Sequence, residues 1–171
     1  MLRLDNPTQA YAWGSPTAIP ELLGQAPDGS PVAELWMGAH PSAPSVVQAT
    51  RAVPLDEFVA ADPAGVLGRG VIERFGPALP FLLKVIAAER PLSLQVHPSL
   101  AGAVAGFDAE EAAGLALDAP QRSYRDRNHK PELVYALTVF EAMAGFRAPR
   151  RAAELLEGLA APLAQQLAAA L

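Results

Sequence analysis

Leu92-Ser93-Leu94-Gln95-Val96-His97 decides the fold, because its side chains alternate strictly between apolar and polar. In an extended chain Leu92, Leu94 and Val96 fall on one face, and Ser93, Gln95 and His97 on the other. The pattern predicts a strand with one apolar face. A strand advances about 3.3 Å per residue, which sets Gln95 and His97 about 7 Å apart on the polar side, close enough to converge on one ion. A neutral imidazole is a common zinc ligand, and an amide oxygen a rarer and weaker one. The same alternation describes the solvent face of an antiparallel strand, and two potential ligands do not make a site.

Toward the N-terminus, Arg90-Pro91 marks a turn, and Leu79 to Ala87 is a proline-bounded apolar run of strand length. Pro54 to Leu67 carries Leu55, Phe58, Val59, Val66 and Leu67 at spacings that predict a short helix or two helical turns, closed by a breaker at Gly68 to Gly70. The first 50 residues are rich in Pro, Gly and Ser, and predict short strands at 11–15, 33–38 and 45–50. Toward the C-terminus, Ser99 to Leu117 reads as a helix broken near Gly106, and Gln121 to Lys130 as a polar loop with three arginines. Pro131 to Phe146 returns to strand chemistry in Val134, Tyr135, Thr138, Val139 and Phe140. From Arg150 on, Leu155, Leu159, Leu163, Leu167 and Leu171 recur every four residues, a helical stripe despite Pro162. No Gly, Asn or basic turn closes that stripe, so the expectation is a chain cut within a helix.

Composition narrows the chemistry. The chain has 171 residues, is 51% hydrophobic and 18% charged, and is therefore expected to fold around a core. A net charge of -5 argues against a nucleic-acid binder, which needs a basic face. Without cysteine there is no disulfide and no thiolate, so a metal would need nitrogen and oxygen ligands. No secretory signal pattern is visible, and the longest apolar runs are broken by Pro80 and Lys84; the expected location is the cytoplasm. Histidine is limited to His40, His97 and His129, and of the 13 basic residues only Lys84 and Lys130 are lysine. A lysine retained in so arginine-rich a chain suggests a place where a compact, flexible donor is needed.

The second polar cluster is Asn128-His129-Lys130-Pro131-Glu132. Pro131 holds Lys130 extended and fixes the entry to the following segment, where Glu132 offers a carboxylate as a third ligand. An ordinary charged loop would look the same.

These pieces together resemble the type I mannose-6-phosphate isomerases (phosphomannose isomerases). The resemblance lies in Tyr11-Ala-Trp-Gly-Ser, Ala33-Glu-Leu-Trp-Met-Gly-Ala-His-Pro-Ser-Ala-Pro-Ser, Leu79-Pro-Phe-Leu-Leu-Lys-Val-Ile, Pro91-Leu-Ser-Leu-Gln-Val-His-Pro, Asn128-His-Lys-Pro-Glu and Ala136-Leu-Thr-Val-Phe-Glu-Ala-Met-Ala-Gly-Phe. It covers most of residues 5–147 in the family's order. It implies a mainly β fold, a cupin-like β-sandwich or jelly roll with helical insertions near 54–67 and 99–117. Residues 1–147 would be the N-terminal catalytic region, and 148–171 the start of a helical domain. It also implies one zinc ion per chain, with Gln95, His97 and Glu132 as ligands. The family's fourth ligand is a histidine from a much later segment, and an arginine proposed to act in catalysis lies there too; this chain does not include either. Ser93, Lys84 and Lys130 match positions associated with substrate or phosphate contact.

The implied reaction interconverts mannose 6-phosphate and fructose 6-phosphate by moving a proton between C1 and C2 through an enediol. Negative charge builds on an enediolate oxygen, which a divalent cation can stabilise. Lys130 and Glu132 are adjacent candidates for the proton transfer, and since a metal-bound Glu132 makes a poor base, Lys130 is the catalytic candidate. Trp13, Trp36 and Phe140 are expected in the core or the pocket wall, and His40-Pro41 as a loop-shaping pair. Glu34 either points into the site or serves as a structural hydrogen-bonding group. The expected partner is a small-molecule sugar phosphate, with no nucleic acid and no membrane, and the protein is expected to be a monomer. Two other readings compete: a sugar-binding or inactive cupin remnant, since three ligands leave an open and weak site, and a non-haem iron oxygenase, which would need His40 or His129 as a second histidine. On its own the 171-residue chain is expected to be inactive or nearly so.

Overall fold

The computed structural model describes residues 2–171. They divide into two compact units, the first ending at residue 96 and the second covering 97–171.

The first unit is built from two three-stranded antiparallel sheets. One joins β1 (Arg3–Asp5), β4 (Val46–Gln48) and β5 (Ala52–Pro54) in the order β1-β4-β5. The other joins β2 (Thr8–Gln9), β3 (Glu34–Gly38) and β6 (Leu82–Ile86), with β3 in the centre. β3 is central because, among the described strands, it is the one buried nearly end to end, as its apolar run requires. Ile19, Ala33, Leu35, Val47 and Val59 form the core. Ser45 ties the two sheets' ends together: its hydroxyl donates to Asn6 Oδ1 at 2.8 Å and accepts from the Gly38 amide at 3.0 Å.

Short helices complete this unit: α1 (Ala18–Leu22), α2 (Leu55–Ala61), α3 (Pro63–Leu67) and α4 (Arg69–Phe75). The helical reading of 54–67 is met by α2 and α3, divided at Asp62, whose carboxylate caps α3 by accepting from the Gly65 amide at 3.0 Å. Gly68 to Gly70 does not end the helical region as expected. Gly68, at φ 80°, turns the chain and α4 begins directly after it. The strand expected at 11–15 is reduced to bridges from Gly14 to Ala88 and Ser15 to Val32. Gly14 has to be a glycine there, because a Cβ would collide with the backbone of Ala33.

In the second unit, α5 (Leu100–Ala112) is capped by Ser99, whose hydroxyl accepts from the Gly102 amide at 3.2 Å. The break expected at Gly106 is absent, and α5 runs through it. The glycine serves packing instead, since the Tyr124 ring lies where its Cβ would be. The chain then doubles back through 114–127 and is latched to α5. Glu110 accepts the Ser123 amide at 3.0 Å and the Tyr124 amide at 2.8 Å. The loop read as polar therefore contains a buried arginine, Arg122, beneath that latch. The C-terminal leucine stripe is two helices that pack together, α6 (Pro149–Glu157) and α7 (Pro162–Ala169), because Pro162 lacks an amide hydrogen and can only begin a new helix.

Helices hold 32% of the residues, and strands together with isolated bridges 15%, which corrects the mainly β expectation to a mixed architecture. The strands expected at 92–97 and 131–146 account for the difference. Neither segment pairs with another strand among the described residues. A strand exists through its cross-strand hydrogen bonds, and alternation without a neighbour leaves only extended, exposed chain. Pro91 and Pro98 also remove a donor at each end of the first segment. Leu94 is 88% exposed and Val139 96%, so neither has found a core. Among the described residues, no helix is long and apolar enough to cross a membrane.

The Glu110 latch has a pH signature. The Ser123 and Tyr124 amides hold its carboxyl below the ordinary glutamate range, burial opposes them, and the Arg122 guanidinium adds to the lowering. A carboxylate lowered by folding contributes stability in full above its unfolded value of about 4.3, and loses it as pH falls through the lower folded value. The urea midpoint of unfolding is therefore expected to drop below about pH 4, and Glu110→Gln to flatten that drop. Parallel pH profiles for the two chains would contradict the latch.

Candidate functional site

Antiparallel pairing of β3 with β6 places Trp36 directly opposite Lys84. Glu34 lies two residues before Trp36 and so shares its face of the sheet. Beside these three, the turn at 11–14 contributes Tyr11 and Trp13, stacked with ring centroids 5.7 Å apart. Together with Leu92 and Gln95 they line an open cleft of ≈ 260 Å³. Three aromatic rings, one carboxylate, one ammonium and one amide face the same space. That mixture suits a polyol carrying an anion: rings for C–H faces, the ammonium for the charge, the amide for a hydroxyl.

The polar groups of the cleft are tied to one another. Glu34 is buried, and its Oε2 accepts from Trp36 Nε1 at 2.6 Å. Lys84 Nζ forms an ion pair with the same oxygen at 3.5 Å and stands 4.7 Å from the centroid of the Trp36 ring. His40 meets the edge of Trp36 with centroids 5.0 Å apart, and its Nδ1 lies 2.8 Å from Ser42 Oγ, as expected of a loop-shaping residue.

In the second unit, His97 Nδ1 donates to the backbone carbonyl of Lys130 at 2.7 Å. A carbonyl oxygen can only accept, so in the neutral ring the proton is on Nδ1 and the lone pair on Nε2. This is the arrangement in which histidines bind metals, the second nitrogen held by a carbonyl or carboxylate. The bond also joins His97 to the His-Lys-Pro-Glu segment, in which Pro131 restricts Lys130 toward extended backbone.

Of the residues singled out from sequence, Lys84 and Gln95 share the cleft, and His97 is bonded to Lys130. Ser93 is exposed and is not among the described residues lining the cleft; Glu132 is exposed as well. His97 fits a metal by its preset ring. Among the described residues, no three His, Cys, Asp or Glu side chains gather in a way that could hold one. Nothing in the sequence marks Tyr11 or Leu92 as cleft residues, and it leaves Glu34 between two roles. The Glu-x-Trp spacing opposite a lysine on the next strand is the signal that would have found it.

The family model for the phosphomannose isomerase type I catalytic domain matches residues 1–149. The mannose-6-phosphate isomerase of Escherichia coli (strain K12) is 50% identical over 163 residues, which is 94% of this chain and 41% of that protein. The corresponding Schizosaccharomyces pombe protein is 35% identical over 169 residues, 94% of this chain and 37% of its own length. The chain thus spans about two fifths of the relatives it matches. Among solved structures, the Salmonella typhimurium mannose 6-phosphate isomerase bound to its substrate and a zinc atom aligns with TM-score 0.81 at 48% identity, over 92% of this chain and 40% of that one. A zinc-bound mannose 6-phosphate isomerase aligns with TM-score 0.68 at 46% identity, over 75% of this chain and 33% of that one.

Proposed function

The chain belongs to the phosphomannose isomerase type I catalytic-domain family, and from that premise we propose that it carries part of a zinc-dependent site interconverting mannose 6-phosphate and fructose 6-phosphate. The observation that carries this reading is the bond from His97 to the Lys130 carbonyl. It supports the reading because it leaves the imidazole lone pair on Nε2 and ties His97 to the backbone of the His-Lys-Pro-Glu segment.

Gln95, His97 and Glu132 would hold the zinc, one ion per chain, with the fourth ligand a histidine outside this sequence. When bound, zinc supplies a positive charge for the oxygen that becomes anionic in the enediolate. The chain's own residues do the rest. Lys84 offers its ammonium to the phosphate or a sugar hydroxyl, with Ser93 as a second donor. The aromatic walls take the C–H faces of the sugar. Lys130 moves the proton between C1 and C2, a task its flexible stem suits. Residues 1–147 form the catalytic region of a cupin-type β-sandwich in this reading, and 148–171 begin a helical domain. The partner is a sugar phosphate, and the setting a monomer in the cytoplasm away from nucleic acid and membrane, in keeping with a net charge of -5 and no cysteine.

The test is interconversion of the two sugar phosphates, measured in the zinc-loaded 171-residue chain and in the same residues joined to the downstream part of the E. coli relative. The expected result is little or no turnover alone, and turnover in the joined form that chelation removes. A folded, zinc-loaded joined form without turnover would contradict the reading. The competing sugar-binding remnant predicts binding of sugar phosphate and no interconversion in either.

A further inference from the structure

The geometry points to Glu34 as a positioning residue for the cleft, a buried carboxylate that pins the Lys84 ammonium against the face of Trp36 so that it meets the sugar phosphate in one place; this rests on the isomerase reading above. Lysine has a long, flexible stem, and left to itself its ammonium would sweep the cleft and lose rotamer freedom on each binding event. Here the surroundings limit it. Lys84 Nζ reaches Glu34 Oε2 at 3.5 Å and lies 4.7 Å from the Trp36 ring centroid, and its side chain is 30% exposed. The carboxylate is itself fixed by Trp36 Nε1 at 2.6 Å, and its side chain is 9% exposed. Each member thus restrains the other two, and the register of β3 and β6 sets all three on one face.

The arrangement is a clamp rather than a neutralising pair. A 3.5 Å ion pair is long for a charge-assisted hydrogen bond, which leaves the ammonium with donor capacity toward the cleft. The indole ring adds attraction from a face that makes no hydrogen bond. Glu34 therefore acts through Lys84, and its loss would move the cation without removing it.

The chain's two lysines make the test clean, because Lys130 serves as an internal standard for Lys84. The full chain and its Glu34→Gln and Glu34→Asp variants are acetylated with acetic anhydride, and the labelling ratio of Lys84 to Lys130 is read by mass spectrometry. Glu34→Gln keeps the volume and removes the charge, and is expected to raise that ratio about fivefold. Lys130 is exposed already, so the control is Glu34→Asp, which keeps the charge and is expected to restore most of the wild-type ratio, as a general loosening of the first unit would not. In the same experiment fructose 6-phosphate is expected to protect Lys84 in the wild type, read as the extent of Lys84 labelling itself because Lys130 is also placed at the substrate, with the half-protecting concentration about tenfold higher in Glu34→Gln. An unchanged ratio in Glu34→Gln, or no recovery in Glu34→Asp, overturns the clamp. A raised ratio with no protection in any chain upholds the clamp and overturns the sugar phosphate as its purpose.

Discussion

Arg122→Ala is expected to cost the second unit about 3 kcal/mol or more of stability. The Arg122 side chain is 0% exposed. Its Nε donates to the Tyr124 carbonyl at 2.8 Å, and Nη1 donates to the Leu115 carbonyl. Nη2 forms a 2.6 Å ion pair with Glu111 without the angle of a directed hydrogen bond, and Nε lies 3.6 Å from Glu110. The guanidinium also stacks 4.8 Å from the Phe107 centroid, and Arg127 covers the same ring at 4.5 Å. Removing the side chain leaves two carbonyls and a carboxylate with less than they need, and opens a cavity beside α5. Glu111 is half exposed, so the lower end of the range for a broken buried pair applies. In a unit of this size each kcal/mol moves the melting temperature by about 4–8 °C, and the expected fall exceeds about 12 °C. Arg122→Met, which refills the volume, is expected to lose less. A fall of under about 3 °C in Arg122→Ala would contradict the structural role.

The second large effect is chemical. In the form joined to the downstream part of the E. coli relative, His97→Ala and Glu132→Gln are each expected to lower turnover about a thousandfold. The reason differs between them. His97→Ala removes the imidazole whose Nε2 lone pair is set by the Lys130 carbonyl. Glu132→Gln keeps the shape and removes the charge that a divalent cation needs from its ligands. Lys130→Ala is a separate case, because its backbone carbonyl remains. Zinc is expected to stay while turnover falls, which divides the proton-transfer role from the ligand-orienting one. Unchanged turnover in both His97→Ala and Glu132→Gln would remove the proposed ligands from the reaction.

Much of the first unit was legible from sequence because its strands carry their own evidence. β3 and β6 are apolar runs of strand length, and they pair with one another, β3 in the centre of its sheet and β6 at its edge. β1 and β2 were missed, since three and two residues are too short to show a period. The stretch from Leu92 to His97 misled for a physical reason. Alternation states which face would be buried if a neighbour were present, and no neighbour pairs with it among the described residues. The same holds for 131–146. Gly106 and Pro162 erred in opposite directions. Helical propensity costs a glycine only about 1 kcal/mol, which the packing of Tyr124 against the bare Cα offsets, while a proline beyond the first turn costs about 3 kcal/mol and the backbone hydrogen bond.

Site residues divide along similar lines. Lys84 stood out because lysine is rare here, and it is the cleft's cation. His97 stood out through its motif, and its hydrogen bond supports a ligand's role. Glu34 and Arg122 were harder, because burial of a charge depends on partners that lie far away in sequence or arrive by way of a loop. Lys84 is 50 residues from Glu34, and the carbonyl of Leu115 reaches Arg122 only because the chain reverses after α5.

Zinc binding through His97 is the central claim, and it can be measured on this chain directly. Equilibrium dialysis against zinc at neutral pH, with metal counted per chain, compares the wild type with His97→Ala. The expected result is one zinc per wild-type chain, bound through nitrogen and oxygen donors as seen by X-ray absorption, and an affinity at least about a hundredfold weaker in His97→Ala. Equal zinc retention by the two chains, or none by the wild type, would contradict it.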